Sequence, residues 1–118
     1  MSKADTPPTS TPASIPVLSE SYLNFTQTIK ASKTRSNYIQ ALRYYMHFSG
    51  VQDYDELLLT IKDPKDIQRN IIMFIERCKQ RNLSFSTIQG YVAGIKHFYE
   101  YNDIDLKWRR INVFHFMR

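Results

Sequence analysis

The stretch STIQGYVAGIKHFY, residues 86–99, decides the fold class. Ile88, Tyr91, Val92, Ile95, Phe98 and Tyr99 fall within one arc of about 120° when each residue advances by ~100°, the pattern of a helix buried along one face. No alternation of period two competes with it. Ser86, followed three residues later by Gln89, reads as a capping box that opens the helix. The other side carries Ser86, Gly90, Ala93 and His97, a strip of small residues flanked by Gln89 and Lys96. Gly90 and Gly94 each cost a helix up to ~1 kcal/mol relative to alanine. Either they admit a neighbouring helix, or they let a DNA backbone or a second domain come close.

The same periodicity extends toward the N-terminus. Asp63-Pro64 supplies an N-cap and a first helical residue, and the helix they open runs to about Arg81 with Ile67, Ile71, Phe74, Ile75 and Cys78 inward. Before it, Asp53 and Glu56 form a capping box for a short helix carrying Leu57, Leu58 and Ile61. A helix from about Thr34, read as its N-cap, to Phe48 ends at Gly50. Its apolar stripe is Tyr38, Ala41, Leu42, Tyr45 and Phe48; Ser36, Gln40, Arg43 and His47 make the polar one. A first helix from Ser19 places Leu18, Tyr22, Phe25 and Ile29 on one face and breaks at residues 31–33. Residues 1–17 hold four prolines among Ser, Thr and Ala, the composition of a disordered tail. The expected organisation is therefore a tail at 1–17, a helical domain at 18–106 and a basic linker at 107–118.

With 118 residues there is room for one domain and not for a two-domain enzyme. Cys78 is the single cysteine, so neither an internal disulfide nor a zinc site is implied, and it reads as a small buried hydrophobe. No apolar run of membrane-spanning length and no signal-peptide pattern occurs, so the expectation is a soluble, cytoplasmic protein. The formal charge of +5 matters less than its placement, because residues 18–106 hold eleven basic and ten acidic side chains. Lys30, Lys33, Arg35 and Arg43 form an acid-free cluster. Arg77, Lys79 and Arg81 form a second, and Lys107, Arg109, Arg110 and Arg118 a third. Acids gather at 53–56, 63–66 and 100–105. Such segregation can make one basic face for a phosphate backbone.

Two segments carry a resemblance. Lys33-Thr-Arg-Ser-Asn-Tyr38 with Ala41-Leu-Arg-Tyr-Tyr-Met-His-Phe48 looks like the opening of the first long helix in the core-binding domain of phage-integrase-type tyrosine recombinases. About fifty residues later, Leu83-Ser-Phe-Ser-Thr-Ile-Gln-Gly-Tyr91 with Ile95-Lys-His-Phe-Tyr99 resembles that family's S-x-x-T-I-x-x-Y…I-x-x-F-Y helix. The resemblance covers roughly residues 18–110. It implies an all-α, SAM-like orthogonal bundle of about four main helices that packs on one side of a recombination site, with a catalytic domain on the other. It further implies double-stranded DNA as partner, together with a catalytic domain and other recombinase protomers, in DNA integration and recombination at the nucleoid. Carried over by position, the DNA contacts are Lys33, Thr34, Arg35 and Asn37 at one helix start and Ser86, Thr87 and Gln89 at the other. Lys96 and His97 are secondary candidates, and Arg43, Lys107, Arg109 and Arg110 add cations. Tyr38 and Tyr91 match the motif but fall on the core stripe, so they are left out of the contact set.

The family attacks a phosphodiester with a tyrosine hydroxyl assisted by arginines and a His-x-x-Arg motif. His115-Phe-Met-Arg118 matches that motif in letters only: no catalytic arginine segment precedes it and no nucleophilic tyrosine follows. The expectation is binding without catalysis, cofactor, metal or small-molecule substrate. At the C-terminus, Trp108 and Ile111 are expected to dock on the core. Two other classes fit the sequence: a helical protein-interaction module, and a stand-alone DNA-binding accessory protein.

Overall fold

A computed structural model describes residues 19–116, with side chains through residue 112. The tail at 1–17, Leu18 and Arg118 lie outside the described residues, as do the side chains of the His115 motif. Among the described residues six helices follow one another: α1 Glu20–Thr26, α2 Ser32–Ser49, α3 Tyr54–Thr60, α4 Pro64–Gln80, α5 Phe85–Tyr101 and α6 Trp108–Phe116. Among the described residues there is no strand.

The helix boundaries follow from local chemistry. Ser19 caps α1 by accepting from the Tyr22 N–H at 3.3 Å, Asp53 caps α3 from Glu56 N–H at 2.7 Å, and Asp63 caps α4 ahead of Pro64. Glu56 reaches back to the Gln52 N–H at 2.8 Å, which completes a capping box displaced by one residue. Three helices end alike. Gly50, Asn82 and Asp103 have positive φ, and the residues after them, Val51, Leu83 and Ile104, donate to Met46, Cys78 and Tyr99 carbonyls, the Schellman pattern.

Two starts differ from the expectation. The cap of α5 is Ser84, whose hydroxyl accepts from Thr87 N–H at 3.1 Å, so Ser86 lies inside the first turn and does not cap. The cap position of α2 is Ala31, without any side-chain acceptor, so Thr34 too is already helical. A tertiary contact holds that corner in place of a cap: Arg35 donates to the Ile29 carbonyl at 2.7 Å. The end of α1 also differs: it stops at Thr26, short of the break expected at residues 31–33, while Ile29, beyond it, stays buried.

The core is one cluster to which all six helices contribute. Phe25, Leu42, Tyr45, Leu57, Ile67, Ile71, Ile75, Ile95, Phe98, Tyr99 and Ile111 are fully buried. The central pair is α2 and α5, with α1 against α3 and α5, and α4 against α2 and α6. Their close approach is possible because Gly94 faces Ala41: a Cβ placed on Gly94 would lie 3.0 Å from the Ala41 Cβ. A buried polar chain ties the three long helices together. Tyr45 and Tyr99 hydroxyls lie 3.0 Å apart, and Asn70 of α4 donates to Tyr45 Oη at 3.1 Å and to Ser49 Oγ at 2.7 Å. Burial pushes both phenols well above their ordinary pKa, so they remain neutral donors and acceptors.

Asn102 fastens α1 to the end of α5. It donates to the Ser21 and Phe98 carbonyls and accepts from Asn24. Ser21 in turn donates its N–H and its hydroxyl to Asp55 of α3. Residues 107–118, expected as a linker, contain α6, and Ile111 docks on the core as expected. Trp108 is partly buried, and its indole N–H has no hydrogen-bond partner among the described residues.

Candidate nucleic-acid interface

The contact set named from sequence falls on two helices, and tertiary packing brings part of it together. Between α2 and α5 lies a groove of about 550 Å³. From α2 it receives Thr34, Asn37, Tyr38 and Gln40; from α5 it receives Ser86, Thr87, Gly90, Tyr91 and Ala93. None of these side chains is charged. Four of the contacts assigned from sequence, Thr34, Asn37, Ser86 and Thr87, thus share one concavity. On α2 the spacing Thr34, Asn37, Gln40 keeps three polar groups in register along one side of the helix. Gly90 lies at the groove wall, where a Cβ would meet nothing within 4 Å.

Both helix starts open here, in different chemical states. The first three N–H groups of an α-helix lack intrahelical acceptors and carry the positive end of the macrodipole. At α5 the Ser84 hydroxyl occupies the Thr87 N–H and donates to Thr87 Oγ1 at 2.9 Å. At α2, Ala31 brings no acceptor to Ser32, Lys33 and Thr34. The charge pattern follows the elements. No acidic residue occurs in α2, and the only one in α5 is Glu100 near its far end. Among the described residues the other acids sit on α1, on α3 and α4 with their caps, and in the segment after α5.

The remaining candidates do not line this groove. Lys33, Gln89 and Lys96 are exposed on α2 and α5. Arg43 borders a neighbouring hollow on α2 with Ser36, Ile39, Gln40 and Tyr44. Arg35 is half-buried and committed to the Ile29 carbonyl. His97 sits among the rings of Phe25, Tyr38 and Tyr101, at 5.8, 5.4 and 4.3 Å between centroids, with Thr28 Oγ1 3.5 Å from its Nε2. Burial lowers its pKa from the ordinary 6.5, so it is neutral at physiological pH and adds no cation. Lys107 and Arg110 border a different hollow, between α6 and the start of α4, with Lys65 and Gln68. Arg109 is exposed on α6.

Sequence reasoning missed three groove residues. Gln40 was placed only on a polar stripe, and its Nε2 donates to Tyr44 Oη at 3.1 Å. Tyr38 and Tyr91, assigned to the core stripe, are half-buried: their rings pack on the core while both also line the groove. The signal was present, since an aromatic at the edge of an apolar arc commonly buries its ring and leaves its hydroxyl wet. Burial raises the Tyr91 pKa, so the hydroxyl keeps its proton and can donate.

Among the described residues no group of three or more His, Cys, Asp or Glu could hold a metal ion, and no helix is long and apolar enough to cross a membrane. Comparison with known protein families, curated proteins and solved structures finds no match for this chain.

Proposed function

We propose that this chain binds double-stranded DNA through the α2/α5 groove, as the SAM-like core-binding arm of a tyrosine recombinase of the phage-integrase kind, acting in DNA integration and site-specific recombination. The observation that carries the reading is the convergence of Thr34, Asn37, Ser86 and Thr87, from helix starts about fifty residues apart, in one groove free of acidic side chains. Its chemistry suits a duplex. The uncapped N–H groups at the start of α2 and the neighbouring Lys33 suit a phosphate. The hydroxyls of Thr34, Ser86 and Thr87 suit phosphate oxygens, and the Asn37 and Gln40 amides can pair with the donor and acceptor of an adenine edge in the major groove. Phosphodiester cleavage belongs, in this reading, to a separate catalytic domain, and the site of action is the nucleoid.

Neutralising one phosphate with each of the exposed cations of the contact set on the two helices, Lys33, Arg43 and Lys96, gives a slope near −3 in log K against log salt, with affinity near micromolar at physiological ionic strength. Titrating a labelled duplex of about three helical turns over a salt series tests this. A flat response, or no binding at low salt, overturns the reading. Backbone amide shifts recorded during the titration should cluster at residues 32–43 and 84–97.

A further inference from the structure

One cation cluster singled out in the sequence, around Arg77 and Arg81, stands apart from the groove. We propose that these two arginines form a second phosphate-contacting patch that extends the DNA footprint along α2, an inference that rests on the reading above. The two regions are continuous. Beside the groove lies a cleft of about 330 Å³ whose walls include Tyr44, His47, Phe48, Arg77, Arg81 and Tyr91. Tyr91 lines both hollows, and its ring packs on Tyr44 of the cleft at 5.5 Å between centroids, so the two share an aromatic wall.

Length and charge favour a nucleic-acid strand as the occupant. Thr34 at one end and Phe48 at the other are fourteen helical steps apart on α2. At 1.5 Å per residue that is about 21 Å, the axial length of roughly six base-pair steps at ~3.4 Å each. The helix running the whole way carries no acid. Four of the five cations on α4 or at its C-cap divide into two kinds. Arg69 pairs with Asp66 at 3.2 Å and Lys79 with Glu76 at 3.6 Å. Arg77 and Arg81, both exposed, pair with no carboxylate among the described residues. The Arg77 guanidinium carbon stands 5.7 Å from the Phe48 ring centroid, a cation–π contact that orients it beside the cleft. The aromatic walls give deoxyribose faces and thymine methyl groups an apolar surface to meet.

The test uses the full chain and the same duplex salt series. The double variant Arg77→Ala/Arg81→Ala should flatten the slope by about 1.8, near 0.9 for each phosphate released, with equal loss of affinity on unrelated duplexes. Arg77→Lys/Arg81→Lys should restore most of the slope, which separates charge from any effect on folding. Arg69→Ala, removing a cation outside the patch, should leave the slope unchanged. An unchanged slope in the double alanine variant, with the wild type still steep, overturns this inference and leaves DNA binding by the groove intact; the cleft would then suit an acidic peptide. Equal flattening by Arg69→Ala overturns it as well, as an effect of net charge. A flat wild-type response overturns both readings.

Discussion

Gly90 and Gly94 lie one turn apart on α5, and they divide the α2–α5 pairing into an open half and a closed half. At Gly94 the helices touch. An added Cβ would lie 3.0 Å from Ala41 Cβ and 3.3 Å from Tyr38 Cα, so glycine is needed for the approach itself. At Gly90 the same helix faces empty space within the groove. Stability therefore resides in the closed half, where Tyr45 and Tyr99 also join, and the proposed duplex contacts lie in the open half. The difference teaches that two glycines indistinguishable in a helical pattern can have opposite consequences when filled.

The largest effect should come from breaking the closed half. Gly94→Val adds three carbons where even one is crowded, and overpacking of this kind should cost about 3 kcal/mol or more, seen as a lowered midpoint of urea unfolding. A variant as stable as the parent would show that α2 and α5 can separate freely. Next comes the buried hydroxyl pair. Tyr45→Phe leaves the Tyr99 hydroxyl and one Asn70 donor without that partner, and chemical denaturation should report a loss of about 1–3 kcal/mol.

Filling the open half should have the reverse sign. Gly90→Ala should gain up to about 1 kcal/mol from helix propensity, while its methyl group intrudes on the groove and weakens duplex binding. Gain in both stability and affinity would remove the groove from the interface. The smallest effect concerns His97, at the end of the small-residue strip. Its folded pKa is depressed by burial, so its contribution to stability is complete above the unfolded value of 6.5 and is lost as pH falls through that value toward the folded one. Thermal melts between pH 7.5 and 5 should show part of their decline removed in His97→Gln. An identical pH profile would mean that the imidazole titrates as freely as in the unfolded chain.

Much of the fold was legible because it is written in local patterns. Asp53, Asp63-Pro64 and Gly50 were all assigned from neighbours within four residues, and each does what was expected. The inward faces of α4 and α5 followed from period alone. The α5 cap was read two residues late because Leu83-Ser-Phe-Ser offers two serines. Ser86 with Gln89 imitates a capping box, while the structure uses Ser84 with Thr87 and keeps Phe85 half-buried in the first turn. The α2 start was read three residues late for another reason. No cap exists there, and the corner is held by Arg35 reaching back to Ile29, a contact that no local motif encodes.

The sequence by itself determined that the chain is helical, where α3 and α4 begin, where α2 and α4 end, and which faces of α2, α4 and α5 turn inward, because hydrogen bonds and side-chain period act over a few residues. Only the tertiary structure decided which candidates meet. It gathered Thr34, Asn37, Ser86 and Thr87, spent Arg35 on a backbone carbonyl, neutralised His97 among aromatic rings, and left Lys107 and Arg110 on another side. The reason is steric and long-range. The place where α2 and α5 touch depends on the fit of Gly94 to Ala41, 53 positions apart, and no period within either helix carries that information.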